Sequence, residues 1–299
     1  MTSNQPIVIG LGEFLWDLLP TGKHPGGAPS NFAIHSNQLG ARGTVVSAVG
    51  QDSLGNELLA WLTTMGLSTD HVQVHACHKT GTVTVDVDSD GQPRFIIHEN
   101  VAWDFLQWRS GLSALAQQAD CVCVGSLAQR SPQSADTIQR FLDTTRPDCL
   151  RIFDLNLRQH YFETAVINRT LDKCDVFKLN ADEWLVIARL AGVDPSVPAG
   201  PKELLKRHKL RLVALTRGSE GSLLIDQDRV LDRPADPVHV VDTVGAGDAF
   251  TAALAMGMLQ NRKLEEVHAH ADSVARYVCG QAGATPQLPD HLIDSVTIG

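Results

Sequence analysis

Residues 238–260 read VHVVDTVGAGDAFTAALAMGMLQ. The apolar run Val238–Val241 predicts the end of a β-strand, Gly245-Ala246-Gly247 a tight turn with almost no side chains, and the rest a helix from near Asp248 to about Gln260. That helix is apolar nearly all round (Phe250, Ala252, Ala253, Leu254, Ala255, Met256, Met258, Leu259), so it belongs in the middle of the molecule. Its first turn offers unpaired N–H groups and the positive end of the helix dipole. Small residues there let an anion come close to those N–H groups. Asp248 sits at this spot. A carboxylate there caps a helix, or it serves as the base for an alcohol attacking a phosphoryl group held beside it.

Two other phosphate-binding patterns do not fit. No Lys follows Gly245 and Gly247 as GxxxxGK[ST] requires, and in IGLGEFL the third Gly of GxGxxG falls on Leu15.

Outward from this segment, apolar runs alternate with helical patterns. The strands expected are Ile7–Gly10, Thr44–Val49, Cys121–Gly125, Arg151–Asp154, Val176–Leu179 and Leu212–Thr216. Between them, helices are expected over Ser30–Leu39, Ser53–Met65, Pro132–Thr145 and Asp182–Leu190, with Gly40, Gly66 and Gly192 just past three of the ends. The alternation implies a doubly wound α/β fold with a mostly parallel sheet. One region breaks it. Thr82–Asp88 (TVTVDVD) alternates at period two, Ser89-Asp90-Gly91 is a turn, and Arg94–His98 returns, which makes a β-hairpin. It forms either a flap or small second sheet, or an edge of the main one. Asp194–Pro201 reads as a surface loop.

The chain has 299 residues, 43% hydrophobic and 20% charged, enough for a large core and unlike a disordered chain. Lys plus Arg number 25 against 34 Asp plus Glu, a net charge of −9 that argues against nucleic acid or an anionic membrane as partner. Local backbone N–H groups still allow an anionic small molecule. The start, MTSNQPIVIG, lacks the basic and apolar regions of a signal peptide, and no run nears the ~18 apolar residues of a membrane span. Six cysteines without a CxxC pair read as reduced thiols, and the expected location is the cytoplasm.

A second cluster is HPGGAPSNFAIHSNQLGA. A Gly-Gly turn and Pro29 lead into Ser30-Asn31 at a helix start, either an ordinary cap or a backbone surface for a polyhydroxy ligand with Asn31 as donor and acceptor. In Gly12-Glu13-Phe14-Leu15-Trp16-Asp17, an acidic side chain follows the first strand.

Together these segments resemble the ribokinase-like (PfkB) carbohydrate kinases over nearly the whole chain. The amino-terminal pattern is Gly26-Gly27-Ala28-Pro29-Ser30-Asn31-Phe32-Ala33, followed by Gly40 and Gly50; the carboxyl-terminal one is Asp242-Thr243-Val244-Gly245-Ala246-Gly247-Asp248, followed by Ala252-Ala253. The resemblance implies one α/β kinase domain over residues 1–299 with a discontinuous β lid drawn from about 12–29 and 78–101. By the same resemblance, Asp248 is the catalytic base and Gly245, Ala246 and Gly247 are the anion hole. Asn180 and Glu183, in KLNADEW, match an NxxE pair that holds Mg²⁺ and phosphate through water. Thr216, Gly218 and Gly221, in TRGSEG, match the nucleotide-binding turn. Asp17, Gly27 and Asn31 match ligands of the sugar hydroxyls. Asp154-Leu155-Asn156-Leu157-Arg158 matches a DxNxR pattern of fructokinase-like members, with Arg158 toward phosphate or sugar. Some relatives bind a monovalent cation such as K⁺ beside the anion hole, and Asp242, Val244 and Gly283 are the positions for it here. Many relatives carry a late Asn beside the adenine; HAHADSVARYVCGQAGATP has none.

The implied activity is ATP-dependent phosphorylation of a primary sugar hydroxyl. GEFLWD, GGAPSN, the DxNxR segment and Trp103-Asp104 rank D-fructose first, ahead of 2-keto-3-deoxygluconate and ribose. A reading from another class is a non-catalytic regulator that binds sugar or nucleotide. Exposed lid edges suit a homodimer.

Overall fold

The computed structural model describes residues 5–20, 22–87 and 93–294. Thirteen strands and ten α-helices make up its regular elements among the described residues. In chain order they are β1 (Ile7–Leu11), β2 (Leu15–Leu19), β3 (Gly22–Gly26), α1 (Ala28–Gln38), β4 (Arg42–Gly50), α2 (Ser53–Thr64), β5 (Val72–His75), β6 (Gly81–Val87) and β7 (Pro93–Ile97). There follow α3 (Ser110–Gln118), β8 (Cys121–Val124), α4 (Pro132–Thr144), β9 (Leu150–Asp154), α5 (Thr164–Leu171), β10 (Val176–Asn180), α6 (Ala181–Ala191) and α7 (Ala199–His208). The last are β11 (Leu212–Thr216), β12 (Ser222–Ile225), β13 (Val230–Arg233), α8 (Ala246–Leu259), α9 (Leu264–Cys279) and α10 (Asp290–Asp294).

Nine strands form one sheet in the order β13-β12-β11-β10-β9-β8-β1-β4-β5. From β11 to β5 every pairing is parallel; only β12 is reversed, pairing antiparallel with both β11 and β13. All six strands expected from sequence are present. Residues on the two faces of each strand go to different cores. Val8, Cys121, Cys123, Ile152, Val176 and Ala214 pack with α8 and α9, while Ile9, Val122, Phe153, Phe177 and Val213 pack on the opposite side. Both faces are therefore dry, which explains the unbroken apolar runs.

The chain moves from β1 outward through β4 and β5, then returns beside β1 with β8 and proceeds the other way. The strand order reverses between β1 and β8, and open α/β sheets bind ligands beyond the carboxyl ends of the strands at such a point.

The hairpin expected over Thr82–His98 is β6 and β7, in antiparallel register Val83↔Ile97 and Val85↔Phe95. It belongs to a separate four-stranded sheet, order β3-β2-β6-β7, and is not an edge of the large one. The strand β6 pairs parallel with β2, so residues 15–26 and 81–97 together make this sheet. The turn Ser89-Asp90-Gly91 lies outside the described residues.

Two expectations need correction. Val238–Val241 is not a strand: no neighbouring strand pairs with it, and Val240 and Val241 are each 55% exposed. The amides of Val241 and Asp242 bond instead to the Cys279 carbonyl oxygen. The loop Asp194–Pro201 is shorter than expected, because α7 starts at Ala199 and takes Gly200 and Pro201 into its first turn, where Pro is tolerated.

Among the described residues, no helix is long and apolar enough to cross a membrane. All six cysteines are free, and Cys121 and Cys123 are buried in β8.

Candidate active site

The site residues fall in a line along the carboxyl edge of the large sheet. Thr216 ends β11, Asn180 ends β10, Asp154 ends β9, and Gly12-Glu13 follow β1. At about 4.8 Å per strand, the line from β11 to β1 spans roughly 19 Å. The positions expected to hold a nucleotide stand at one end and those expected to hold a sugar at the other, with the start of α8 between.

The helix α8 begins at Ala246, two residues ahead of the expected start, and Gly245 is its N-terminal cap with φ 79°. A side chain at Gly245 would also run into the backbone of Ala284. Only glycine fits this turn. Asp248 is therefore a first-turn residue and not the cap. Its Oδ2 accepts a 2.8 Å hydrogen bond from Asn31 Nδ2. Burial, with the nearby Asp154 charge added, pushes the Asp248 carboxyl up to about 7, against the pull of Asn31, Lys178 and Arg158. A carboxyl near 7 is well matched to accept a proton at neutral pH.

Gly27 caps α1, with φ 111°, and a Cβ there would collide with the Glu13 carbonyl oxygen. Ser30 Oγ donates back to the Gly27 carbonyl oxygen at 2.7 Å, closing the turn. Asn31 is buried, and its Oδ1 has no hydrogen-bond partner. Asp17 lies in β2, opposite His24 of β3, so one sugar-type residue comes from the small sheet and two from the large core. Burial raises the Asp17 carboxyl, and Arg158 opposes that. The exposed Arg158 acts electrostatically on Glu13, Asp17 and Asp248 alike.

Asn180 and Glu183 close a capping box at the start of α6. Glu183 N–H donates to Asn180 Oδ1 at 2.9 Å, and Asn180 N–H donates to Glu183 Oε2 at 2.8 Å. The other oxygen, Oε1, accepts from the Leu157 amide at 2.7 Å. Glu183 is buried, not the exposed first-turn acid that its place in a helix allows. Both its oxygens are engaged by backbone donors, and each keeps one lone-pair direction. That suits an outer contact to a hydrated Mg²⁺ rather than direct ligation. Among the described residues no group of three or more His, Cys, Asp or Glu side chains could hold a metal by itself.

Thr216, Gly218 and Gly221 lie on the turn from β11 to β12. Gly218 (φ 57°) faces open space, whereas a Cβ on Gly221 (φ 94°) would meet the Arg233 carbonyl oxygen. Asp242 binds the Val244 amide through Oδ1 at 3.0 Å and the Gly283 amide through Oδ2 at 3.2 Å. The three positions expected around a monovalent cation are thus tied together by one carboxylate.

Sequence reading missed several residues at this site. Lys178 Nζ pairs with Asp154 Oδ1 at 3.0 Å, and both side chains are buried. The Thr251 hydroxyl lies 2.8 Å from Asp154 Oδ2 and 2.9 Å from the Gly247 carbonyl oxygen. Arg130 was missed too; it pairs with Asp104 and donates to the His98 carbonyl oxygen just beyond β7 of the small sheet. A signal existed for Lys178: a lysine inside the buried strand VFKLN.

With this geometry in view, comparison with known proteins decides the family. The pattern described as "pfkB family carbohydrate kinase" matches residues 20–291. The chain belongs to the PfkB family of carbohydrate kinases. It is 30% identical to a fructokinase of Klebsiella pneumoniae, over 92% of each chain. It is 29% identical to fructokinase-1 of Oryza sativa subsp. japonica, over 98% of this chain and 97% of that one. Among solved structures, an uncharacterized sugar kinase of Pyrococcus horikoshii in complex with ATP superposes with a TM-score of 0.82, at 26% identity, covering 97% and 99% of the two chains. This PfkB chain is a phosphotransferase acting on a sugar hydroxyl.

Proposed function

We infer that this kinase transfers the γ-phosphoryl group of ATP to a primary hydroxyl of a small sugar, and that the sugar is D-fructose. The observation that carries the reading is Asp248: a carboxyl near 7, one turn inside a glycine-capped helix, held by Asn31 from the sugar end of the site. Asp248 takes the hydroxyl proton. The first turn of α8, Gly245 to Gly247, stabilises charge on the transferring group, and Arg158 adds a positive charge. Asp17, Gly27 and Asn31 hold the sugar. Thr216, Gly218 and Gly221 hold the nucleotide with Asn180. Mg²⁺ neutralises the nucleotide phosphates when bound, with Glu183 reaching it through water. The loop pinned by Asp242 is the place for K⁺. The small sheet closes as a lid over the sugar and keeps out water, which otherwise competes as acceptor.

Charge favours a neutral sugar. A 2-keto acid needs a cation for its carboxylate; of the two candidates, Arg158 already acts electrostatically on Glu13, Asp17 and Asp248, and the side chain of Arg94 lies outside the described residues. The fructokinase relatives support the same ranking. A screen of fructose, 2-keto-3-deoxygluconate, ribose and adenosine with ATP tests it, with fructose expected to give the highest kcat/KM. Faster turnover of any other acceptor overturns the choice of sugar. Thermal stabilisation by sugar and ATP with no ADP formed would instead favour a non-catalytic regulator. A homodimer through the lid fits the exposed Phe95 and Ile96 on β7. Its size in solution tests that.

A further inference from the structure

Beneath the first turn of α8 runs a buried polar chain of which the motifs include only Asp154, the first residue of DxNxR, and assign it no role. Lys178 Nζ, from the middle of β10, donates to Asp154 Oδ1 at 3.0 Å. The other oxygen of Asp154 meets the Thr251 hydroxyl at 2.8 Å, and that hydroxyl is 2.9 Å from the Gly247 carbonyl oxygen. Lys178 Nζ also lies 2.9 Å from where a Cβ on Gly247 would stand, so the ammonium abuts the backbone of that first turn. Thr251 is fully buried, and Asp154 and Lys178 are exposed by only 5% and 7%. A salt bridge this deep gives little net stability, because desolvation offsets most of its Coulombic gain. Its position offers a reason for it.

We propose that Lys178 and Asp154 are positioning residues that together set the charge balance at Asp248 and fix the first turn of α8 through Thr251. This rests on the reading of Asp248 as the base. The two groups act on it with opposite sign: the Asp154 carboxylate disfavours a second negative charge nearby, and the Lys178 ammonium favours it. The other groups that bear on Asp248 are Arg158 after β9, the neutral donor Asn31 on α1 and the buried Cys123 thiol on β8. Glu183 on α6 acts on Lys178. Lys178 itself stays protonated: burial pulls it down, but Asp154, Asp248 and Glu183 outweigh that.

The opposite signs make the test specific. Aspartate carboxyl carbons, ¹³C-labelled and read by NMR against pH, report the Asp248 midpoint in the free protein without any sugar; D248N assigns the signal. In K178M the midpoint moves up by about one unit, and in D154N it moves down by about one unit. The K178M/D154N double variant returns toward the parent value. D154N keeps the side-chain shape, so it carries the test if K178M does not fold. Midpoints unmoved in folded variants, or moved the same way in both, overturn the proposal and leave the pair a packing feature that alters Tm alone. Failure of the base assignment shows separately, as normal turnover in D248N.

Discussion

Asn31 and Asp248 stand 217 residues apart in the chain and are joined by a 2.8 Å hydrogen bond. The bond links the start of α1 to the first turn of α8, so the residue proposed to hold the sugar and the proposed base are joined by one contact. It favours the ionised carboxylate, against burial and Asp154. If Asp248 is the base, as proposed, its charged form is kept at a cost in stability. D248N removes both. It is expected to lower kcat at least ~10²-fold, within the range for a positioned acid–base group. It is also expected to raise Tm by about 2–5 °C at pH 8. Rate and melting temperature on one sample check both; near-normal turnover with an intact fold removes Asp248 from the chemistry.

The sign of the pH effect follows from the same group. Asp248 binds its proton more tightly in the fold, about 7 against an ordinary 3.8, so its ionisation lowers stability as pH rises between those values. With Asp248 as the proposed base, activity is expected to run the other way, because only the deprotonated carboxylate accepts the hydroxyl proton. The profile of kcat/KM is expected to rise through a midpoint near 7. An acid limb near 4 would contradict the buried, Asp154-facing environment.

How much of this was legible in the sequence differs from residue to residue. Gly245 and Asp248 sit in a short local pattern, a turn with almost no side chains opening an apolar helix, whereas Asn180 and Glu183 are reached through the family resemblance and their capping box shows only in the fold. The fold was legible because strands dry on both faces leave unbroken apolar runs. Val238–Val241 misled because an apolar run makes a strand only where a neighbouring strand receives it. The roles of Thr251 and Arg130 were not legible, since each depends on partners more than 20 residues away.

Gly27, proposed to lie at the sugar, gives a test that separates the two substrates. Its φ of 111° and the neighbouring Glu13 carbonyl oxygen leave no room for a methyl group. G27A is expected to raise the KM for sugar about tenfold or more, with the KM for ATP changed less than about twofold. Equal losses for both substrates would mean that the turn serves the whole fold and not the sugar end alone.

Glu183 is tested by its two acceptor oxygens. In E183Q one oxygen becomes an NH₂ group facing a backbone N–H, at Leu157 or at Asn180. The expected cost is roughly 1–3 kcal/mol of stability. The Mg²⁺ concentration needed for half-maximal rate should rise as well, while the KM for sugar stays within about twofold. Titrating Mg²⁺ at fixed ATP reads this directly, and an unchanged Mg²⁺ requirement leaves Glu183 a helix cap only.

Arg130 tests how the small sheet is held. Its guanidinium lies over the rings of Trp103 and Tyr161, at 4.1 and 4.6 Å from their centres. It forms a buried two-bonded pair with Asp104 at 2.8 and 2.9 Å. Its Nη2 also donates to the His98 carbonyl oxygen at 2.6 Å, one residue beyond β7. Tyr161 reaches the same strand, with its hydroxyl 3.2 Å from the Ile97 carbonyl oxygen. Alanine would leave Asp104 buried without its partner, so R130A is expected to lose about 3–5 kcal/mol. Lysine restores the charge but not the planar fork or the stacking, so R130K should fall between the two. Because the arginine anchors the end of β7, R130K should also speed proteolytic cleavage within residues 81–97 well before global unfolding. Cleavage there at the parent rate, with stability lowered, would assign Arg130 to the core alone and leave the small sheet held by Tyr161 and Gln159, whose Nε2 donates to the Phe95 carbonyl oxygen at 2.7 Å.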